Sequence, residues 1–317
     1  MTGRAVDGRD LLVFDVPMRT RFRGQTRRAG VLIRGEAGWG EFSPFPDYDD
    51  ATSARWLDAA RDIAELGFPP ALRDRIPVNT TVPAVDAATA YELVRASGCT
   101  TAKVKVAETG QTLSDDIARV EAVRDALGPD GKLRVDANAA WTVDEAVPAL
   151  KALDVFALEY AEQPVRTLEE MAQLRRRVDV LLAADESVRR AEDPMRVVGL
   201  EAADIVVLKV QPIGGVRRCL EIAEACGLPV VVSSAVETSV GIAAGVALAA
   251  ALPELPYACG LGTITLLDGD VTADPLLPVG GELPVRAVEP DLSLVHADDD
   301  VREWWMARME ASSRAGG

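Results

Sequence analysis

Short apolar runs alternate with longer amphipathic stretches over most of the chain from residue 78 onward. The short runs have the length and β-branched content of buried strands, and the stretches between them have the apolar spacing of helices. The predicted strands are residues 78–82, 102–106, 133–136, 155–159, 181–184, 205–209, 230–233 and 257–260. The predicted helices include residues 86–97, 114–127 and 143–153.

Strands that alternate with crossover helices are parallel, so this repeat predicts an α/β protein. Eight predicted strands favour a closed, TIM-like barrel, because closure leaves no exposed sheet edge. An open, doubly wound sheet is the alternative that the repeat leaves open.

Residues 1–77 do not follow the repeat. Their pattern predicts antiparallel strands and helix, at residues 11–16, 29–35 and 51–67. A further helix is predicted near the C-terminus, at residues 301–311. We therefore predict a catalytic barrel at residues 78–284 and an α+β capping domain at residues 1–77, completed by residues 285–317.

Composition excludes several kinds of chemistry. The 317 residues include 34 basic and 50 acidic side chains, for a net charge of −16, and a single histidine, His296. One histidine cannot build a multi-histidine zinc site, and the excess of carboxylates argues against a nucleic-acid surface. Carboxylates are suitable ligands for hard cations such as Mg²⁺.

The remaining bulk features indicate a cytoplasmic protein. The four cysteines form no Cys-x-x-Cys pair, which is typical of core residues in a reducing compartment. The longest uncharged stretch, residues 238–253, is too short to span a bilayer and predicts a buried helix. We expect no membrane and no nucleic-acid partner. A monomer is compatible with the sequence, which leaves the oligomeric state open.

Charged residues stand at the predicted carboxyl ends of five successive strands, which is the end of a barrel that carries active sites. These residues are Lys103 and Lys105, Asp136 with Asn138, Glu162, Asp185 and Lys209. Any one of them alone is explained as a solvated strand end. Charged residues at the same end of five successive strands, about one β/α unit apart in the sequence, predict an active site there.

The three acidic members of this set, Asp136, Glu162 and Asp185, would repel one another if they met without a cation. Oxygen ligands with room for water suit Mg²⁺, so we predict a magnesium site there. Lys105 and Lys209 would flank it.

These residues resemble the enolase superfamily, in the branch with a lysine on each side of the site. The resemblance rests on Lys-x-Lys at 103–105, Asp-x-Asn at 136–138, Glu-Gln-Pro at 162–164, Asp-Glu-Ser at 185–187, Lys209, and Gly-Trp-Gly-Glu at 38–41. It implies a (β/α)7β barrel capped by an α+β domain, and an enediolate stabilised by Mg²⁺ and Lys209. Because no histidine is suitably placed, the base that this reaction needs would be a lysine, and Lys105 is the candidate.

Within the superfamily, residues 233–241 are similar to the succinyl-binding loop of the o-succinylbenzoate synthase family of menaquinone biosynthesis. That resemblance implies a lyase that removes water from a dicarboxylate substrate. Its substrate contacts are expected from Lys103, Arg134, Asn138, Ser233, Ser234 and Gly260. An N-succinylamino acid racemase, or another racemase or cycloisomerase with the lysine pair, stays open as the alternative. Dipeptide epimerases are disfavoured because residues 259–263 contain no acid.

Overall fold

A computed structural model describes residues 10–22, 24–189 and 195–316 of the chain. The strands are β1 (Leu11–Phe22), β2 (Gln25–Arg34), β3 (Trp39–Phe42), β4 (Arg75–Pro77), β5 (Thr80–Val82), β6 (Thr101–Lys105), β7 (Lys132–Asp136), β8 (Leu158–Glu162), β9 (Leu182–Ala184), β10 (Ile205–Leu208), β11 (Val230–Val232) and β12 (Glu282–Pro284). The helices are α1 (Asp50–Leu66), α2 (Ala87–Ser97), α3 (Leu113–Leu127), α4 (Val143–Leu153), α5 (Leu168–Arg175), α6 (Glu186–Arg189), α7 (Arg196–Gly199), α8 (Val210–Ile213), α9 (Val216–Cys226), α10 (Ser239–Ala251) and α11 (Asp299–Ala315).

Strands β5 to β11 form one parallel sheet in which each strand pairs with its neighbours in chain order. The two edges of this sheet meet through residues 259 and 260. Cys259 forms a parallel bridge with Val78, and Gly260 forms one with Ser233. The predicted eighth strand is therefore present as two bridges rather than a regular strand. The closed barrel is confirmed, and the open sheet is wrong.

Alternating side chains of the strands form two apolar layers. Ile205 and Val207 of β10 pack with Tyr160, Ala183 and Val231 in a small cluster, whereas Val206 and Leu208 belong to the large core that includes residues of the helices. Successive strand residues point to opposite faces, so the small cluster fills the barrel interior. This apolar layer packs beneath the polar residues at the strand ends and restricts their movement.

The sequence places the starts of several crossover helices precisely enough to predict them within one residue. Helices α3, α4 and α5 each begin with a capping box, in which Thr112, Thr142 and Thr167 exchange hydrogen bonds with the residue three positions later. A capping box satisfies backbone N–H groups that the first helical turn leaves without partners.

The predicted fourth barrel strand is displaced by three residues. It was expected at residues 155–159 and lies at Leu158–Glu162. A 3-10 turn occupies Asp154–Phe156, and Ala157 then adopts a left-handed conformation with φ of 55°. Val155 is 75% exposed, so its apolar side chain does not mark a buried strand. The shift makes Glu162 the last residue of the strand.

The antiparallel sheet β1-β2-β3 forms the capping domain with α1 and α11. Trp56 and Leu57 of α1, Phe42 of β3, and Trp305 and Met309 of α11 share one buried cluster. The C-terminal helix thus packs into the same core as the N-terminal sheet and helix, and its assignment to the capping domain stays a prediction. Strands β4 and β12 pair antiparallel next to the predicted boundaries at 77 and 285, and those boundaries stay predictions. No helix in the described ranges is long and apolar enough to cross a membrane.

Candidate active site

The carboxyl ends of adjacent barrel strands bring the predicted site residues together. Lys105 pairs in register with Asp136, and Asp136 pairs with Glu162. Asp185 directly follows β9, and Lys209 directly follows β10. All five side chains therefore lie at one end of the barrel, because parallel strands present the same end on the same side.

The three acidic side chains at this end, Asp136, Glu162 and Asp185, are each at most 1% exposed. Burial, with the nearby carboxylates of Asp136 and Asp185, raises the pKa of the Glu162 carboxyl to about 7, although Lys103 opposes this shift. Burial also disfavours ionisation of Asp136, but Lys105 and Lys103 outweigh it and hold the pKa of that carboxyl below its usual range. The three carboxylates are close enough to influence one another's charge.

Lys103 is tied to two of these carboxylates. Its Nζ lies 2.8 and 2.9 Å from the two carboxylate oxygens of Glu162 and 3.2 Å from Asp136 Oδ2. Burial would lower the pKa of Lys103, but the charges of Glu162 and then Asp136 raise it above its ordinary value. This ammonium group therefore stays protonated at neutral pH and is unsuited to accept a proton.

Lys105 and Lys209 approach the carboxylates from two sides of the barrel. Lys105 Nζ donates to Asp136 Oδ2 and to Asn138 Oδ1, each at 2.5 Å, and Lys209 Nζ donates to Asp185 Oδ2 at 2.6 Å. Burial is the main cause that lowers the pKa of Lys105, and the positive charge of the lysine two residues earlier adds to it against the pull of Asp136. A lowered pKa favours the neutral amine that a base requires.

The chemistry of this donor set fits Mg²⁺. Asp136, Glu162 and Asp185 supply only oxygen ligands. Burial, and after it the charges of the other two carboxylates, raise the pKa of Glu162, and a divalent cation would stabilise the three charges together. Among the described residues, no three acidic, cysteine or histidine side chains stand in the geometry of a preformed metal cluster. The ammonium groups of Lys105 and Lys209 contact the carboxylate oxygens in this arrangement.

A cavity opens above these groups, between the barrel and the capping domain. Its wall consists of Phe22, Phe45, Thr81, Lys103, Lys105, Asp136, Asn138, Lys209, Ser233, Ser234, Ala235, Val236, Gly260 and Thr263. Of the residues predicted to contact substrate, only Arg134 is missing from this wall. Thr81 was not predicted as part of the site, although it is the register partner of Lys103. Phe22 and Thr263 were not predicted either, because no local sequence signal marks them.

The serine residues of the wall are already hydrogen-bonded inside it. Ser234 Oγ lies 2.6 Å from Thr263 Oγ1, and Ser233 Oγ donates to the Gly260 carbonyl at 3.4 Å. A side chain at Gly260 would place its Cβ 2.5 Å from Ser233 Oγ. Gly260 therefore allows the loop after β11 to approach the end of the barrel closely.

Arg134 shares the inward face of β7 with Asp136 but lies nearer the start of the strand. It is fully buried and donates to Glu159 Oε2 at 2.6 Å, to Asn79 Oδ1 at 3.1 Å and to the Ala258 carbonyl at 2.7 Å. Its guanidinium also stacks over Tyr160. The structure places Arg134 below the cavity as part of the barrel interior, so this position does not support the predicted contact with substrate.

The chain is similar in sequence and in fold to known enzymes. Residues 85–294 match the family described as enolase C-terminal domain-like, and residues 13–64 match the enolase N-terminal domain-like family. The chain is 62% identical to the o-succinylbenzoate synthase of Thermobifida fusca, over 99% of this chain and 97% of that protein. It is 54% identical to the o-succinylbenzoate synthase of Mycolicibacterium smegmatis, over 94% of each chain.

Solved structures agree with the fold. The L-Ala-D/L-Glu epimerase from Bacillus subtilis superposes with a TM-score of 0.76, at 24% identity, over 89% of this chain and 96% of that one. A dipeptide epimerase from Enterococcus faecalis, solved with Mg and the dipeptide L-Leu-L-Tyr, superposes with a TM-score of 0.74, at 25% identity, over 88% and 97% of the two chains. The chain therefore belongs to the enolase superfamily and, within it, to the o-succinylbenzoate synthase family of dehydratases, which are carbon–oxygen lyases.

Proposed function

We propose that this chain is a Mg²⁺-dependent o-succinylbenzoate synthase. It would convert 2-succinyl-6-hydroxy-2,4-cyclohexadiene-1-carboxylate to 2-succinylbenzoate by syn elimination of water. The observation that carries the proposal is the placement of Lys105 and Lys209 on either side of three buried carboxylates. The 62% identity to the Thermobifida fusca enzyme supports the choice of substrate.

Asp136, Glu162 and Asp185 would hold the metal. When bound, Mg²⁺ supplies positive charge against the negative charge that grows on the substrate carboxylate as the α proton leaves. The Enterococcus faecalis relative solved with Mg supports this assignment.

Lys105 would carry the proton through both halves of the reaction. Its neutral amine takes the proton α to the carboxylate, and the electron pair of that C–H bond becomes part of the aromatic ring. The resulting ammonium gives the same proton to the departing hydroxyl as the C–O bond breaks, which releases water. One group can do both only if proton and hydroxyl leave from the same face. Burial of Lys105 lowers its pKa and supports the first step.

Lys209 would remain an ammonium group on the opposite side of the ring. There it stabilises the developing negative charge and offers a cation–π contact to the ring. Ser233, Ser234 and Gly260 would shape the part of the cavity that receives the succinyl chain. Asn138 holds Lys105 through its side-chain oxygen, and Lys103 keeps Glu162 in place.

The alternative activity is racemisation of N-succinylamino acids, which the lysine pair favours because each lysine could transfer a proton on one face of the α carbon. Incubation of the purified chain with Mg²⁺ and each substrate class separates the two. The proposal predicts loss of the diene absorbance and formation of 2-succinylbenzoate. Rapid α-proton exchange of N-succinylamino acids in D₂O, with no dehydration of the diene, would replace the synthase by the racemase.

The cellular assignment is part of the same proposal. All four cysteines are free, and three of them are buried, which is compatible with a reducing cytoplasm. We place the reaction in menaquinone biosynthesis, with a monomer as the simplest assembly. A chain that fails to restore menaquinone to a mutant lacking this synthase would contradict the pathway assignment.

A further inference from the structure

One segment of the cavity wall has a strained backbone. Residues 233–238 connect β11 to α10, and the first four of them line the cavity. Val236 adopts a φ of 63°, although β-branched residues strongly avoid the left-handed region. Such a conformation persists only where surrounding groups impose it. The groups that do so come from the capping domain.

Arg28 of β2 joins two parts of the cavity wall. Its side chain is 2% exposed, and its Nε donates to the carbonyl of Val236 at 2.9 Å. Its Nη2 donates to the carbonyl of Ser43 at 2.6 Å, and its guanidinium stacks over the ring of Phe45 at 4.5 Å. One buried cation therefore fixes the strained residue from the barrel and the aromatic residue from the capping domain.

Glu41 of β3 binds the other end of the same segment. Its carboxylate accepts the backbone N–H of Thr238 at 3.2 Å, the Thr238 hydroxyl, and the N–H of Gly241 at 3.0 Å. It also accepts the Ser43 hydroxyl at 2.6 Å. Thr238 is the residue that precedes α10, yet its side chain makes no capping hydrogen bond. A carboxylate from the other domain takes over that role at the third residue of the helix.

The start of α10 leaves space for this carboxylate. A Cβ at Gly241 would lie 2.9 Å from Glu41 Oε2 and 2.5 Å from Glu237 Cβ. Any larger residue would displace the buried carboxylate. The close approach of the Glu41 carboxylate to α10 therefore depends on a glutamate in the capping domain and a glycine in the barrel.

We infer that Arg28 and Glu41 are positioning residues that hold residues 233–238 and Phe45 in the shape that binds substrate. Neither side chain lines the cavity, so each acts through the wall residues that it contacts. The identity of the substrate rests on the proposed function, whereas the contacts of Arg28 and Glu41 do not depend on it.

The test compares four variants of the full chain with the unsubstituted protein. Arg28→Met and Glu41→Met remove the two contacts, because methionine offers neither the guanidinium donors nor a carboxylate acceptor, and Arg28→Lys keeps the charge and one donor group. Arg27→Met is the matched control, because Arg27 is the next residue on β2 and forms an ion pair with Asp15 on the surface. The measurements are amide hydrogen exchange of residues 235–241 and steady-state kinetics with the cyclohexadiene substrate.

Arg28→Met and Glu41→Met should speed amide exchange in this segment by about 10-fold or more, because its local opening becomes easier. KM should rise by about 10-fold to 100-fold while kcat changes by less than about 3-fold, since binding geometry rather than proton transfer is lost. Arg28→Lys should give intermediate values and keeps the test available if Arg28→Met fails to fold. Arg27→Met should match the unsubstituted chain.

Unchanged exchange and KM in folded Arg28→Met and Glu41→Met proteins would overturn the inference. A fall in kcat without a change in KM would also overturn it, because the two residues would then act on the chemical step. If the unsubstituted chain does not dehydrate the diene, the proposed function fails. The exchange measurement still decides whether Arg28 and Glu41 position the segment.

Discussion

Lys105 and Asp136 are register partners on neighbouring parallel strands, and Lys105 Nζ lies 2.5 Å from Asp136 Oδ2. The pairing joins the proposed base to a proposed metal ligand through one buried contact. Parallel pairing fixes both side chains at the same height, so the contact follows from the register of β6 and β7. Proton transfer and metal binding are therefore expected to depend on each other at this position.

Replacement of Lys105 by alanine should lower kcat for dehydration by about 10³-fold or more, because the reaction loses its base and acid. Lys151→Ala is the matched control, since Lys151 is an exposed lysine of α4, and its kcat should be unchanged. Quenched-flow or absorbance assays at saturating Mg²⁺ measure both. Full activity in Lys105→Ala would remove Lys105 from the mechanism.

Asp185→Asn should abolish high-affinity Mg²⁺ binding and, with it, turnover. The substitution keeps the size of the side chain but removes the negative charge that a hard cation requires. Isothermal titration with Mg²⁺ alone measures binding without reference to activity. Asp179→Asn, at an exposed position shortly before β9, should bind Mg²⁺ like the unsubstituted chain. Chelation of the metal should stop turnover, and added Mg²⁺ should restore it.

The buried Glu41 carboxyl should make stability depend on pH. Burial, with the neighbouring Glu237 carboxyl, raises the pKa of Glu41 from 4.5 to about 7, while Ser43, Thr238 and Arg28 oppose the shift. The folded chain holds this proton more tightly than the unfolded chain. The resulting stabilisation is fully present below pH 4.5 and is lost as the pH rises through 7.

Relative to Glu41→Gln, the free energy of unfolding should therefore fall by up to about 3 kcal/mol across that range. Urea denaturation of both proteins at several pH values measures the difference. Glu36→Gln, an exposed site in the same domain, should follow the unsubstituted chain at every pH. If the free energies of unfolding of the unsubstituted chain and of Glu41→Gln differ by the same amount at every pH, the raised pKa of Glu41 is contradicted.

Arg134→Met should destabilise the barrel and leave substrate affinity unchanged. Removal of this cation breaks the ion pair with Glu159 and its bonds to Asn79 and Ala258, at a cost of about 3 kcal/mol. Thermal denaturation should show the loss, and KM should stay within about 2-fold of the original because Arg134 lies outside the cavity wall. A large rise in KM in the folded variant would restore Arg134 as a substrate contact.

The repeat of apolar runs predicts the parallel strands and the position of the charged residues at their ends, whereas the bridges of Cys259 and Gly260 show that the sheet closes into a barrel. Strands about one β/α unit apart must be parallel, and parallel strands present their carboxyl ends on one side. Asp136, Glu162, Asp185, Lys105 and Lys209 are therefore predictable from spacing alone. The misplaced fourth strand shows where this fails, because Val155 is an exposed apolar residue in a turn.

The side chains that surround these five residues depend on how the chain packs in three dimensions. Arg134 and Asp136 lie on the same face of β7, two positions apart. This separation along the strand places Arg134 in the barrel interior and Asp136 at the site. The capping domain supplies Phe22, Arg28 and Glu41. All three lie more than 50 positions before Lys103, the first charged residue of the site in the sequence. Their contacts depend on how two domains pack, and local patterns of polar and apolar residues carry no information about such distant pairs.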